Sequence, residues 1–219
     1  MGEAELNKVA HQLIVHSVFY FYGDAASEQL SVQVAADISN HWNEPASKIK
    51  IRGDWYALVF FTEGYYAPDI APETVWYNND PANNYFRVET FSSGHVSSVD
   101  GIGSNTGYFK LDNLLNHSTT AAHEYGHTLG LDHPQILDIR GKGQPGMMYP
   151  RGTICDPQFQ YDPNALPLQP GGTLNPIFRK VMPSEVDDLK LHGLSFDKKG
   201  RAMVGDFSSL FHQKHLPSV

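Results

Sequence analysis

The segment HEYGHTLGLDH, residues 123–133, holds three of the chain's 11 histidines and one glutamate. His123 and His127 are four positions apart, so on a helix they project from one face, one turn apart. Two imidazoles placed this way can meet one zinc ion at about 2.0–2.1 Å. The same face next offers position 130 or 131, and these are Gly130 and Leu131. A glycine can take positive φ, end the helix and swing the chain around. His133 could then approach the same ion from another direction. Three histidines leave one tetrahedral position for water, which is the arrangement of catalytic rather than structural zinc. Glu124, beside the first histidine, is placed to take a proton from that water and hand it to a leaving amine. The metal would polarise the scissile carbonyl, so no serine or cysteine nucleophile is required. Cys155 is the only cysteine, which excludes an intrachain disulfide and a site built from thiolates.

Such a segment needs a scaffold. The stretch HQLIVHSVFYFYG (11–23) is β-branched and aromatic and reads as a buried strand. In SEQLSVQVAADISNHWN (27–43), Leu30, Val34, Ile38 and Trp42 recur every fourth position, which predicts a helix with one buried face. KIKIRGDWYALVFFTEGYY (48–66) reads as a strand, a turn at Gly53-Asp54 and a second strand. Shorter strands are expected at 73–77, 85–91 and 106–111, and a helix over 116–129 carries the histidines. Residues 140–183 are rich in proline and glycine, and no regular element fits them; a loop that long in a compact domain is usually functional or mobile. Pro183 and Ser184 open a late helix over 182–194, closed by Gly193. The residues after about 200 look polar and loose. The order implies an α+β fold, a mixed sheet backed by helices.

Composition limits the function classes. With 219 residues and 41% hydrophobic content the chain can bury one substantial core. Its formal net charge of −8 offers no basic footprint for nucleic acid or an anionic membrane. No apolar run approaches the roughly 20 residues that span a bilayer. The opening MGEAELNKVAHQ lacks the basic start, apolar stretch and cleavage site of a secretory signal.

HEYGHTLGLDH resembles the extended zinc-binding consensus of the metzincin metallopeptidases. The resemblance implies His123, His127 and His133 as zinc ligands, Glu124 as general base and Gly130 as the turn to the third ligand. Metzincins also carry a methionine turn beneath the zinc, and GMMYP (146–150) is similar to it. Met148 followed by Tyr149 and Pro150 resembles the matrix-metalloproteinase form. Met147 with Tyr149 two residues later resembles astacins and serralysins, in which the tyrosine can reach the metal. Pro134 is similar to serralysins, and PSEVDDLKLHGL to matrix metalloproteinases, a mixture that would suit a bacterial branch. The implied fold is a zincin-like catalytic domain over 1–200, with an upper subdomain (about 1–132), a smaller irregular lower one (about 133–200) and a tail at 201–219.

In that clan the substrate lies antiparallel to an edge strand just before the active-site helix. TGYFKL (106–111) is the candidate edge, with Gly107 allowing close approach and Tyr108 and Phe109 beside it; YFRVET (85–90) is the alternative. The opposite wall is expected from residues 150–180, where Phe159, Tyr161 and Leu166 could line it or simply pin the loop. His95, Asp100, Asp112 and His117, with DGIGSN (100–105), raise a second zinc or a calcium ion, although polar residues in turns are more often turn-formers. Cys155 could act as a latency thiolate, but the commoner role is a small apolar filler. The expected activity is zinc-dependent hydrolysis of protein or peptide substrates by a monomer, secreted as most relatives are. An inactive zinc-holding recognition module and a hydrolase of non-peptide amides are the alternatives.

Overall fold

Strand β2 (Gln12–Tyr22) is the spine of a mixed sheet, because its run of β-branched and aromatic residues can be buried on both faces. The structure, a computed structural model, describes residues 1–94, 96–116 and 118–216. β4 (Asp54–Tyr66) pairs parallel with β2 along nearly its whole length, from Gln12↔Ala57 to Phe21↔Tyr66. The other side of β2 is shared. Its first half pairs antiparallel with β1 (Gly2–Asn7), and its second half pairs parallel with β5 (Asn83–Glu89). β4 also pairs with β3 (Lys48–Ile51), and β5 with β7 (Thr106–Lys110). The two-residue β6 (Ser98–Val99) lies outside β7, and β8 (Arg201–Val204) outside β1. The result is an α+β fold whose described residues form a curled, eight-stranded mixed sheet of order β3-β4-β2-β5-β7-β6, branched at β1 and β8.

Helix α1 (Glu28–Asn43) starts where the Ser27 hydroxyl accepts the Leu30 N–H at 3.2 Å. It buries Leu30, Val34, Ile38 and Trp42, the expected stripe, against β4 and the histidine helix α3 (Thr120–Thr128). The 73–77 segment is not a strand. It forms the short helix α2 (Pro72–Trp76), since Pro72 fits the first helical turn, where no N–H partner is needed, and Glu73 complements the positive end. The histidine helix begins at Thr120 rather than Asn116, because Asn116 takes a left-handed φ of 58° and breaks the chain direction first. Helix α4 (Pro183–Asp188) is likewise shorter than expected: Lys190 turns left-handed at φ 52° and a 3-10 turn, Leu191–Gly193, follows.

β1, β6 and β8 have no counterpart in the sequence-based expectations. The polar residues past 200 are not loose. β8 completes the sheet, Phe211 stacks on Tyr22 with ring centres 5.1 Å apart, and His215 stacks on Tyr108 at 4.0 Å. Among the described residues no helix is long and apolar enough to cross a membrane.

The segment between α3 and α4 contains no helix beyond single 3-10 turns at Pro157–Phe159 and Pro176–Phe178. Isolated bridges, such as Asp138↔Ile154 and Gly146↔Lys180, hold it together. Ile139, Cys155 and Leu174 make a small core of its own, with Tyr149 and Phe159 packed against it.

Candidate metal centre

All nine residues of α3 are buried, so its place is set by packing rather than by helix propensity. Tyr125 stands edge-on to Phe19, Trp42 and Phe60, and its hydroxyl shares a 2.9 Å hydrogen bond with Ser17 of β2. The Trp42 indole donates to the Ala122 carbonyl at 2.9 Å, tying α1 to α3. The helix ends as its glycine requires. Gly130 takes φ 104°, its N–H donates to the His127 carbonyl, and the Leu131 N–H donates to the Gly126 carbonyl, both at 3.0 Å. This pair of bonds is the Schellman closure, and it turns the chain so that His133 comes back over α3.

The three imidazoles converge. The Nε2 atoms of His123, His127 and His133 lie 3.0–3.2 Å from one another. His123 donates from Nδ1 to the Met147 carbonyl and His127 from Nδ1 to the Leu131 carbonyl, each at 2.7 Å. With those protons on Nδ1, both Nε2 atoms present lone pairs, and only His133 has a proton to offer either of them. At least one close contact therefore sets lone pair against lone pair, which a cation would relieve. Ligands about 2.0–2.1 Å from a tetrahedral ion stand about 3.3–3.4 Å apart, close to the spacing seen. The three histidines are thus near enough to bind one metal ion, and the carbonyl partners fix the ring tautomers that binding needs. Burial lowers the pKa of all three, which favours the neutral, ligating form.

Glu124 faces the same cleft, a cavity of about 440 Å³ that also exposes the three histidines. Burial pushes its carboxyl up to about 8, against the opposing pull of Arg179, of the Val99 N–H and of Arg151. A bound dication would add to that pull and favour the carboxylate. The rim above α3 is the segment Val96–Val99 with Gly101 and Ile102; the far wall is Pro150, Arg151 and Arg179, with Asn113 between.

Met148, not Met147, lies under the histidine helix. A Cβ at Gly126, between His123 and His127 in the chain, would come within 2.3 Å of the Met148 sulfur, so glycine is what allows the thioether to sit there. Met147 contributes its backbone, through the carbonyl that orients His123. The turn is clamped by Glu185 of α4. Its carboxylate accepts the N–H groups of Met147 at 3.0 Å, Met148 at 2.7 Å and Met182 at 2.8 Å. Nothing local in the sequence marks Glu185 as the clamp.

The structure redistributes the remaining candidates. TGYFKL is not an edge, because β7 is flanked by β5 and β6, and YFRVET is interior between β2 and β7. Tyr108 and Phe109 are buried, and Gly107 makes room for the Phe86 ring, which a Cβ would meet at 2.4 Å, rather than for a substrate. The edge facing the cleft is β6, too short and too polar to be recognised as a strand. Tyr149 lies with Pro134 and Met182 in a separate groove that the histidines do not line, whereas Pro150 does line the cleft. Phe159 packs beneath its own loop, Tyr161 is exposed near Arg179, and Leu166 is exposed. Cys155 is fully buried and burial raises its thiol to about 11, the state of a filler rather than a reactive thiolate. Asp100 is engaged by His212, at 2.9 Å, and by Thr106; Asp112 pairs with Lys110. His95 and His117 lie outside the described residues. Arg179, deep in the cleft, was not anticipated.

No protein-family model matches the chain, and no curated protein matches it.

Proposed function

We propose that the protein is a zinc-dependent endopeptidase with a metzincin-like catalytic domain, whose zincin-like sheet and helix are divided by the cleft from the irregular segment after His133. The observation that carries this reading is the convergence of three Nε2 atoms beside Glu124 in one cleft. His123, His127 and His133 would hold the zinc. When bound, zinc supplies Lewis acidity, lowering the pKa of water and polarising a carbonyl.

The chain's own residues do the rest. A Glu124 carboxylate oxygen takes the proton of the attacking water and returns it to the departing amine nitrogen, one residue acting as base and then acid. Burial raises the proton affinity of Glu124, and a bound dication would lower it again towards the carboxylate that acts as base. The Met147 and Leu131 carbonyls keep two of the rings aimed. The exposed edge at Ser98 can accept an extended peptide as an added strand, which would bring its carbonyl over the histidines.

The test is cleavage of a denatured protein and of a peptide mixture, with and without chelator, beside Glu124→Ala. Chelator-sensitive cleavage, absent from the variant although it retains zinc, is the expected result. A wild type that binds one zinc and cuts nothing would mean a zinc-holding recognition module instead.

A further inference from the structure

Arg179 is only 4% exposed, yet its Nε and Nη1 atoms have no hydrogen-bond partner among the described residues. Burying a guanidinium without partners is costly, and such a group is normally paired. Its position is not accidental slack. The Arg179 N–H donates to the Pro176 carbonyl at 3.0 Å, and that carbonyl also accepts the Thr119 hydroxyl, at 2.7 Å, just before α3. On the other side, the Lys180 N–H donates to the Pro145 carbonyl at 3.0 Å, next to the methionine turn. The residue is therefore pinned between the histidine helix and the turn beneath it, with its side chain on the cavity wall beside His123 and Glu124.

The surrounding charges leave the guanidinium available. Glu185 is saturated by three backbone N–H groups, and Glu124 is the carboxylate of the proposed chemistry. Arg151, held by its 3.1 Å bond to Asn113, adds a second positive charge at the rim. In a chain of net charge −8, this wall is locally cationic. A planar fork of N–H donors matches a carboxylate in shape and charge.

We propose that Arg179, assisted by Arg151, is the specificity residue of the cleft and receives a substrate carboxylate from the residue next to the scissile bond. The inference rests on the peptidase reading for the word scissile, but the recognition itself does not. The carboxylate has two sources, an aspartate or glutamate side chain within the chain, or a free C-terminus.

Peptides blocked at both ends and differing only by glutamate or glutamine at successive positions separate these sources from a matching set with a free C-terminus. Two readouts are used: kcat/KM for the zinc-loaded wild type, and calorimetric affinity for zinc-loaded Glu124→Ala. One carboxylate position is expected to be favoured at least about tenfold over its neutral counterpart in both, as a charge-assisted hydrogen bond gives. Arg179→Gln should bring that ratio to about one, Arg179→Lys should restore part of it, and Arg151→Ala should reduce it less. A wild-type ratio below about twofold at every position, or a full ratio kept in Arg179→Gln, overturns the proposal. If Arg179→Gln does not fold, the wild-type ratio and Arg151→Ala decide. Binding preference without cleavage would remove the peptidase reading alone; cleavage without preference would remove this inference alone.

Discussion

The two walls of the cleft are built in opposite ways. On the α3 side, the ligands, the base and the glycine closure all fall within eleven consecutive residues, and each geometric step follows from helix periodicity. On the far side, the contacts that place the wall against α3 and the methionine turn join distant parts of the chain. Glu185 reaches 38 residues back to Met147, and Thr119 reaches 57 forward to Pro176. The first wall carries the groups to which we assign the chemistry, and the second carries Met148, Arg151 and Arg179, to which we assign support and selection. On that proposal, reaction type is encoded locally, while selectivity is a product of tertiary assembly.

That contrast can be broken or sharpened by substitution. The largest effect is expected from His127→Ala. Zinc at about 1,000 times its dissociation constant should stabilise the wild type by about 4 kcal/mol and the variant by none, read as a zinc-dependent shift in Tm. A shift that survived in the variant would mean the three rings are not one site.

Next comes Met148→Ala, which opens a cavity under α3 and should cost about 2–5 kcal/mol in denaturant unfolding. Gly126→Ala tests the same contact from the helix side. A helical glycine normally gains about 1 kcal/mol on becoming alanine, but collision with the Met148 sulfur should turn this into a loss of about 1–3 kcal/mol. The double variant should cost less than the sum of the two single ones, since removing the thioether removes the collision.

Glu185→Ala leaves three N–H groups without their acceptor and should cost about 1–3 kcal/mol. It should also weaken zinc binding about tenfold, because the Met147 carbonyl that aims His123 loses its anchor. Lost stability with unchanged zinc affinity would show the walls to be independent. The smallest effect belongs to Lys180→Ala: its exposed pair with Glu44, at 2.6 Å, should be worth about 0–1 kcal/mol.

Legibility followed the range of the interactions. The β2 spine, the α1 stripe and the β3–β4 turn could be read because their signals repeat within a few residues. β6 could not, since two residues carry no alternation, and it exists only because β7 offers a free side. β8 failed for a similar reason: Arg201–Val204 is a strand through its pairing with β1, not through composition. Pro72–Trp76 misled because Thr74, Val75 and Trp76 favour strands, while the proline before them favours a helix start. At the site, the convergence of the three histidines was legible and the position of Arg179 was not. One arginine in a proline-rich loop looks like any solvated charge until the chain folds over it.

What the sequence determined by itself is the set of candidate groups, three imidazoles and a carboxylate, with a glycine at a spacing by which a helix and one turn bring them to a common point. That follows because a helical turn and a glycine closure, once formed, have nearly fixed dimensions. Only the tertiary structure decided which methionine lies beneath them, which strand edges the cleft and which side chain stands opposite. Those outcomes depend on contacts across the whole chain, where packing and the desolvation of a buried charge, rather than local propensity, set the position of each residue.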